Sequence, residues 1–149
     1  MTTRLASALC IASLLSASAH ARVWETVKQV EGRYGKPQHV YLDRPDLREV
    51  GYLFRGFMVL VYYSGGISRR ESFSRWPHGG RLPRLSRDTV HEILAFSAPE
   101  GQSWRAVPAP RAAKKGDYYW ASSNRKTLAG FVAPGEVLIL FDPNFDADD

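Results

Sequence analysis

Phe57-Met58-Val59-Leu60-Val61-Tyr62-Tyr63-Ser64-Gly65-Gly66-Ile67-Ser68-Arg69-Arg70-Glu71-Ser72-Phe73-Ser74-Arg75 is the stretch that decides the fold. Its first seven residues are all apolar or aromatic, the pattern of a strand covered on both faces or of a central strand with a partly shielded outer face. Ser64-Gly65-Gly66 offers the positive φ angles that a tight hairpin requires, so Ile67 to Arg75 reads as a second, more polar strand folding back on the first. A chain that opens a sheet this way needs something apolar to cover it.

Upstream, Arg55-Gly56 turns the chain back to a strand over Val50 to Phe54, and Arg44-Pro45-Asp46 separates that strand from another over Val40 to Asp43. Earlier still the period changes. Val23, Val27, Val30 and Tyr34 recur at helical spacing with Glu25, Lys28, Gln29 and Arg33 between them. Gly35 caps that helix and Pro37 prevents its continuation. Downstream, Trp76 to Arg84 is a Pro/Gly loop, and a second helix starts at the N-cap Ser86, with Leu85 and Val90 placed as a hydrophobic staple and Asp88 complementing the dipole. Val90, Ile93, Leu94 and Ser97 share its apolar face, and Pro99 and Gly101 end it. Ser103 to Val107, Tyr118 to Ser122, Leu128 to Ala133 and Val137 to Asp142 are four further strands, with an exposed loop around Lys114-Lys115 and a turn at Pro134-Gly135.

These elements predict an α+β fold: an antiparallel sheet with two amphipathic helices packed on one face. Each half runs helix, Pro/Gly stop, strands, and Glu25-Thr26-Val27-Lys28-Gln29-Val30 resembles Asp88-Thr89-Val90-His91-Glu92-Ile93 at an offset of 63 residues. That order is compatible with a tandem α-β(n) duplication, although convergence of two amphipathic helices on one pattern is the simpler account.

The N-terminus reads differently. Met1-Thr2-Thr3-Arg4, an uncharged stretch from Leu5 to Leu15 and the small residues ending Ala19-His20-Ala21 have the order of a secretory signal with an A-x-A cleavage site. The apolar stretch falls short of the ~20 residues that span a bilayer as a helix. Cys10 follows Ser7-Ala8-Leu9 rather than a small residue, which argues against a lipid-bearing cysteine. The expected organisation is therefore a signal peptide over 1–21, one α+β domain over 22–142, and an acidic flexible tail over 143–149. The expected location is periplasmic or secreted, and the mature chain has no cysteine, so neither disulfides nor thiolate chemistry is available to it. Lys and Arg total 20 against 15 Asp and Glu, a modest excess that favours anionic surfaces without naming one.

Few constellations carry chemistry. His91-Glu92 begins like a zinc-protease helix, but Ala95 stands where the second histidine belongs, and His39 and His78 have no ligand spacing. Asp142, Asn144, Asp146 and Asp148 alternate like the first ligands of a calcium loop, yet its glycine and closing glutamate are missing. No nucleophile elbow or phosphate-binding glycine loop is present. No metal or other cofactor is expected, and no catalytic residue.

Binding is the remaining reading. Arg69, Arg70, Arg75, Arg81, Arg84 and Arg87 crowd one region, where guanidinium groups suit phosphates and carboxylates. Adjacent aromatic pairs, Tyr62-Tyr63 and Tyr119-Trp120, cannot all face one core, so aromatic surface should remain on the outer sheet face. Tyr63, Trp120, Arg69, Arg70 and Arg75 are accordingly the candidate binding residues. The expected partner is a protein or an anionic envelope component rather than nucleic acid, and the alternative is a small envelope hydrolase or glycan-processing enzyme.

An N-terminal helix ending Arg33-Tyr34-Gly35-Lys36-Pro37, followed by a β-hairpin, resembles short exported bacterial proteins of uncharacterised function. More distantly, the layout resembles the helix-then-sheet modules of the SmpA/OmlA outer-membrane assembly lipoproteins and of β-lactamase-inhibitor proteins. The resemblance implies a small exported α+β module. It carries over no functional residue, and this chain departs from the assembly lipoproteins in lacking their lipid-bearing cysteine.

Overall fold

The structure, a computed structural model, describes residues 22–98, 101–111, 113–132 and 135–145. The expected signal segment with Cys10, and Asp146 and Asp148 of the acidic stretch, lie outside them. The described residues form two helices, α1 (Val27–Tyr34) and α2 (Arg87–Ser97), and eight strands: β1 (His39–Asp43), β2 (Leu47–Phe54), β3 (Phe57–Ser64), β4 (Ile67–Arg75), β5 (Trp104–Val107), β6 (Tyr118–Ser122), β7 (Leu128–Val132) and β8 (Val137–Phe141). All strands join one antiparallel sheet in the order β1-β2-β3-β4-β8-β7-β6-β5. Two four-strand meanders thus meet on their last strands, β4 beside β8.

The hairpin read first is present as expected. Gly65 and Gly66 take φ of 58° and 75°, the mirror-image turn that matches strand twist. α2 also starts where its sequence places it, with the Ser86 hydroxyl accepting from the Thr89 N–H at 3.1 Å. Gly35 ends α1 with φ 83°, its N–H donating to the Glu31 carbonyl at 2.9 Å.

α1 differs at its start. The spacing from Val23 predicts a helix there, but Thr26 is the N-cap, in a reciprocal capping box with Gln29. Val23 and Trp24 instead form a turn, with Trp24 at φ 82°, and the segment is hydrogen-bonded to β4 at Ser68. The Trp24 N–H donates to the Ser68 carbonyl at 2.7 Å, the Ser68 N–H to the Glu25 carbonyl at 2.8 Å, and Thr26 bridges Ile67. Val23 is buried all the same, by docking of the turn on β4 rather than by a helical face. The caps also set the relation between the halves. Thr26 and Ser86 are equivalent N-caps, whereas the hexapeptide match at an offset of 63 aligns Thr26 with Thr89, inside α2.

In an antiparallel sheet, residues directly opposite each other share a face. Phe57↔Arg75, Val59↔Phe73 and Val61↔Glu71 on β3 and β4 continue through Leu138 and Leu140 on β8 to Phe131 and Ala129 on β7. Most of these join a single core cluster with Val30 and Tyr34 of α1 and Val90, Ile93 and Leu94 of α2. Phe96 bridges strands at this contact, its ring 5.8 Å from Phe54, 6.5 Å from Phe57 and 5.9 Å from Phe73. The intervening residues Leu53, Met58, Leu60, Ile139 and Phe141 lie on the other face, where they are half-buried or exposed.

A charged pair sits against the core. Glu71 is fully buried. Arg33 Nη1 donates to its two oxygens at 3.1 and 3.4 Å, and the Tyr34 hydroxyl donates to Oε2 at 2.8 Å. Arg33 also pairs with Glu25. Burial by itself lowers the Arg33 pKa, but the adjacent Glu71 outweighs it and the net direction is upward. Burial, reinforced by Glu71, holds the Tyr34 phenol protonated well above the ordinary tyrosine range.

Candidate functional site

The five expected binding residues do not come together. Tyr63 is 1 % exposed, its hydroxyl 3.0 Å from that of Tyr52, and burial raises its pKa. It belongs to the core, not to an exposed aromatic face. Tyr62, its neighbour on the opposite face, is covered too, by the Phe145 ring at 5.4 Å and the Arg70 guanidinium at 5.2 Å. Strand alternation therefore holds as expected; the sequence did not reveal that each face is occupied at this point. Among the described residues, the exposed large apolar groups of the sheet are instead Val40, Tyr41, Leu53 and Tyr118.

The arginines are dispersed. Arg69 stacks on Trp24 at 4.3 Å and pairs with Asp142 at 3.2 Å. Arg70 reaches Glu49 on β2, and Arg75 lies 4.5 Å over the Phe57 ring on the core-facing side. A register shift between Tyr62 and Tyr63 in the β3–β4 pairing separates Arg69 from the regular alternation. Asp142, read from sequence as part of an alternating acidic stretch, is buried in its pair with Arg69, and its second oxygen accepts the Asn144 N–H at 2.9 Å.

Trp120 lies in a concavity. Cross-strand pairing with Ala129 and Ala106 puts it on the core-facing side, 6.3 Å from His91 of α2 and 6.4 Å from Tyr118 in a stacked arrangement. Around it runs a groove of about 380 Å³ lined by Arg87, Val90, His91, Tyr118 and Phe131 among others. Asp117 and Arg87 add charge at its margin, and burial together with Asp117 raises the pKa of Tyr119, which also borders it. A second hollow, on the other side of His91 and Trp120, is bordered by Trp104, whose indole N–H is buried without an acceptor among the described residues.

Trp120 is legible in the sequence as a candidate; its setting is not. His91 and Arg87 sit one turn apart on α2, a spacing visible in the sequence; that this helix edge meets β6 was not visible. Among the described residues no three His, Cys, Asp or Glu side chains are arranged to hold a metal ion, and no helix is long and apolar enough to cross a membrane. The fold and groove together define an α+β protein with an eight-stranded antiparallel sheet and a partly apolar cleft beside its second helix. No protein family, no curated protein and no solved structure matches this chain.

Proposed function

We propose that the chain is the precursor of an exported, periplasmic or secreted binding module without catalytic function. Its groove between α2 and β6 receives an apolar group of a partner protein or anionic envelope component. The observation that carries the reading is the convergence of Trp120, Tyr118 and Phe131 on one groove whose rim carries Arg87 and His91. Such a site combines a large apolar contact with a few orienting polar groups, the usual composition of a ligand cleft. Both helices lie on one sheet face in this reading. Tyr34 touches Glu71 and Tyr52, and Phe96 touches Phe57 and Phe73, all on strands of the first meander. The repeated α-β4 order and the meeting of the two meanders on β4 and β8 support a tandem duplication.

N-acetyl-phenylalanine, which offers an aromatic ring and a carboxylate, is the probe for the groove. Amide and indole NMR signals of Ala106, His91 and Trp120 are expected to shift on titration. Trp120→Ala should abolish the shifts, and Arg87→Gln, at an exposed position, should weaken them without altering the spectrum elsewhere. Shifts that persist unchanged in both variants, or that never involve α2 and β6, refute the site.

Export is tested separately. Mass spectrometry of protein purified from its native host should find Arg22 as the first residue, consistent with the signal pattern of residues 1–21. A chain retaining Cys10 contradicts export.

A further inference from the structure

Away from the groove, a cleft of about 520 Å³ is lined by Arg22, Trp24, Asn124, Arg125, Lys126 and Asn144, with Val23 and Thr127 completing it. Three of its lining residues are cationic and none is acidic. Trp24 is its apolar platform, 42 % exposed although it stands at φ 82°, a conformation that a bulky side chain adopts at a cost. Three contacts hold it there: its backbone N–H on the Ser68 carbonyl, its indole N–H on the Lys126 carbonyl at 3.1 Å, and the Arg69 guanidinium 4.3 Å over its ring. Arg69 is fixed in turn by Asp142. Arg125, with φ 58°, closes the β6–β7 turn, its N–H on the Ser122 carbonyl, while Asn124 Oδ1 accepts from the Lys126 N–H. The turn thus carries two consecutive exposed cations beside the indole.

We infer that this cleft binds an acidic saccharide, with a sugar ring stacked on Trp24 and its carboxylate or sulfate held by Arg125 and Lys126. A sugar presents an apolar C–H face that an indole accepts, and a charged acid group requires cationic donors nearby. One aromatic platform with Arg69 stacked over it suits a single ring. A single-stranded nucleic acid would instead call for a series of platforms along a basic track. The site is separate from the α2–β6 groove and stands whether or not that groove binds anything.

The probe is a hexamer of α-1,4-linked galacturonate, with neutral maltohexaose and a hexadeoxythymidine as comparisons, titrated into the protein as purified from its native host. Galacturonate is expected to shift the Trp24 indole N–H resonance, with affinity falling as salt rises. The double variant Arg125→Asn and Lys126→Gln should weaken binding about tenfold or more, as loss of charge-assisted hydrogen bonds does, with an unchanged melting temperature. Trp24→Phe keeps a smaller stacking face and should weaken binding less than Trp24→Ala. Equal binding of maltohexaose, tighter binding of hexadeoxythymidine, or undiminished galacturonate binding by the double variant would overturn the assignment.

Discussion

Replacing Glu71 by leucine is expected to cost about 3–5 kcal/mol of folding stability, the range for a buried ion pair that loses one partner. The loss comes from what remains. Arg33, whose side chain is 5 % exposed, keeps its charge at every accessible pH and loses both bonds to Glu71, and the Tyr34 hydroxyl loses its acceptor. Urea unfolding measures the effect, and a change below about 1 kcal/mol would show that the pair is not the buried pair described here. Adding Arg33→Met to Glu71→Leu should recover part of the loss, because an apolar pair needs no partners. Recovery will be incomplete, since Glu25 then lacks its own partner in Arg33.

Phe73→Ala should be comparably severe, about 3–5 kcal/mol, the usual cost of emptying a buried phenylalanine site. Phe73 is fully buried at the centre of the sheet, opposite Val59 on one side and Leu138 on the other, with Phe96 of α2 above it. Collapse around the cavity is restricted because its walls are strands hydrogen-bonded on both sides. Leu53→Ala is the contrast. Leu53 is half exposed on the opposite face, and its truncation should change stability by about 0.5 kcal/mol or less. If the two variants cost the same, the assignment of sheet faces is wrong. Glu71 and Phe73 are two residues apart on one face of β4, so their effects should not add when combined.

Those two residues also mark the limit of what could be read in advance. Glu71-Ser72-Phe73 shows by alternation that the glutamate shares a face with the phenylalanine, and Arg33-Tyr34 at the end of an amphipathic helix was equally visible. Nothing local says that these two pieces meet, because the contact joins residues 38 positions apart. Tyr63 failed as a surface residue for the same reason. Its alternation with Tyr62 was legible, but the cover over each of them comes from Phe145, Arg70 and Tyr52. Trp24 was read as lying within a helix because Val23 and Val27 have helical spacing; docking on Ser68 of β4 overrode that local preference.

By itself the amino-acid order determined the α+β class, the antiparallel hairpin at Gly65-Gly66, the start of α2 at Ser86 and the boundaries of most strands. These features depend on turn chemistry, capping and hydrophobic period, all of which act within a few residues. Only the tertiary structure decided the strand order that joins β4 to β8, the burial of Glu71, the cover over Tyr62 and Tyr63, and the grouping of Trp24 with Arg125 and Lys126. Each of these is a pairing between distant segments. Such pairings are selected by how completely the whole chain buries its apolar surface while finding partners for its polar groups, a quantity that no short stretch contains.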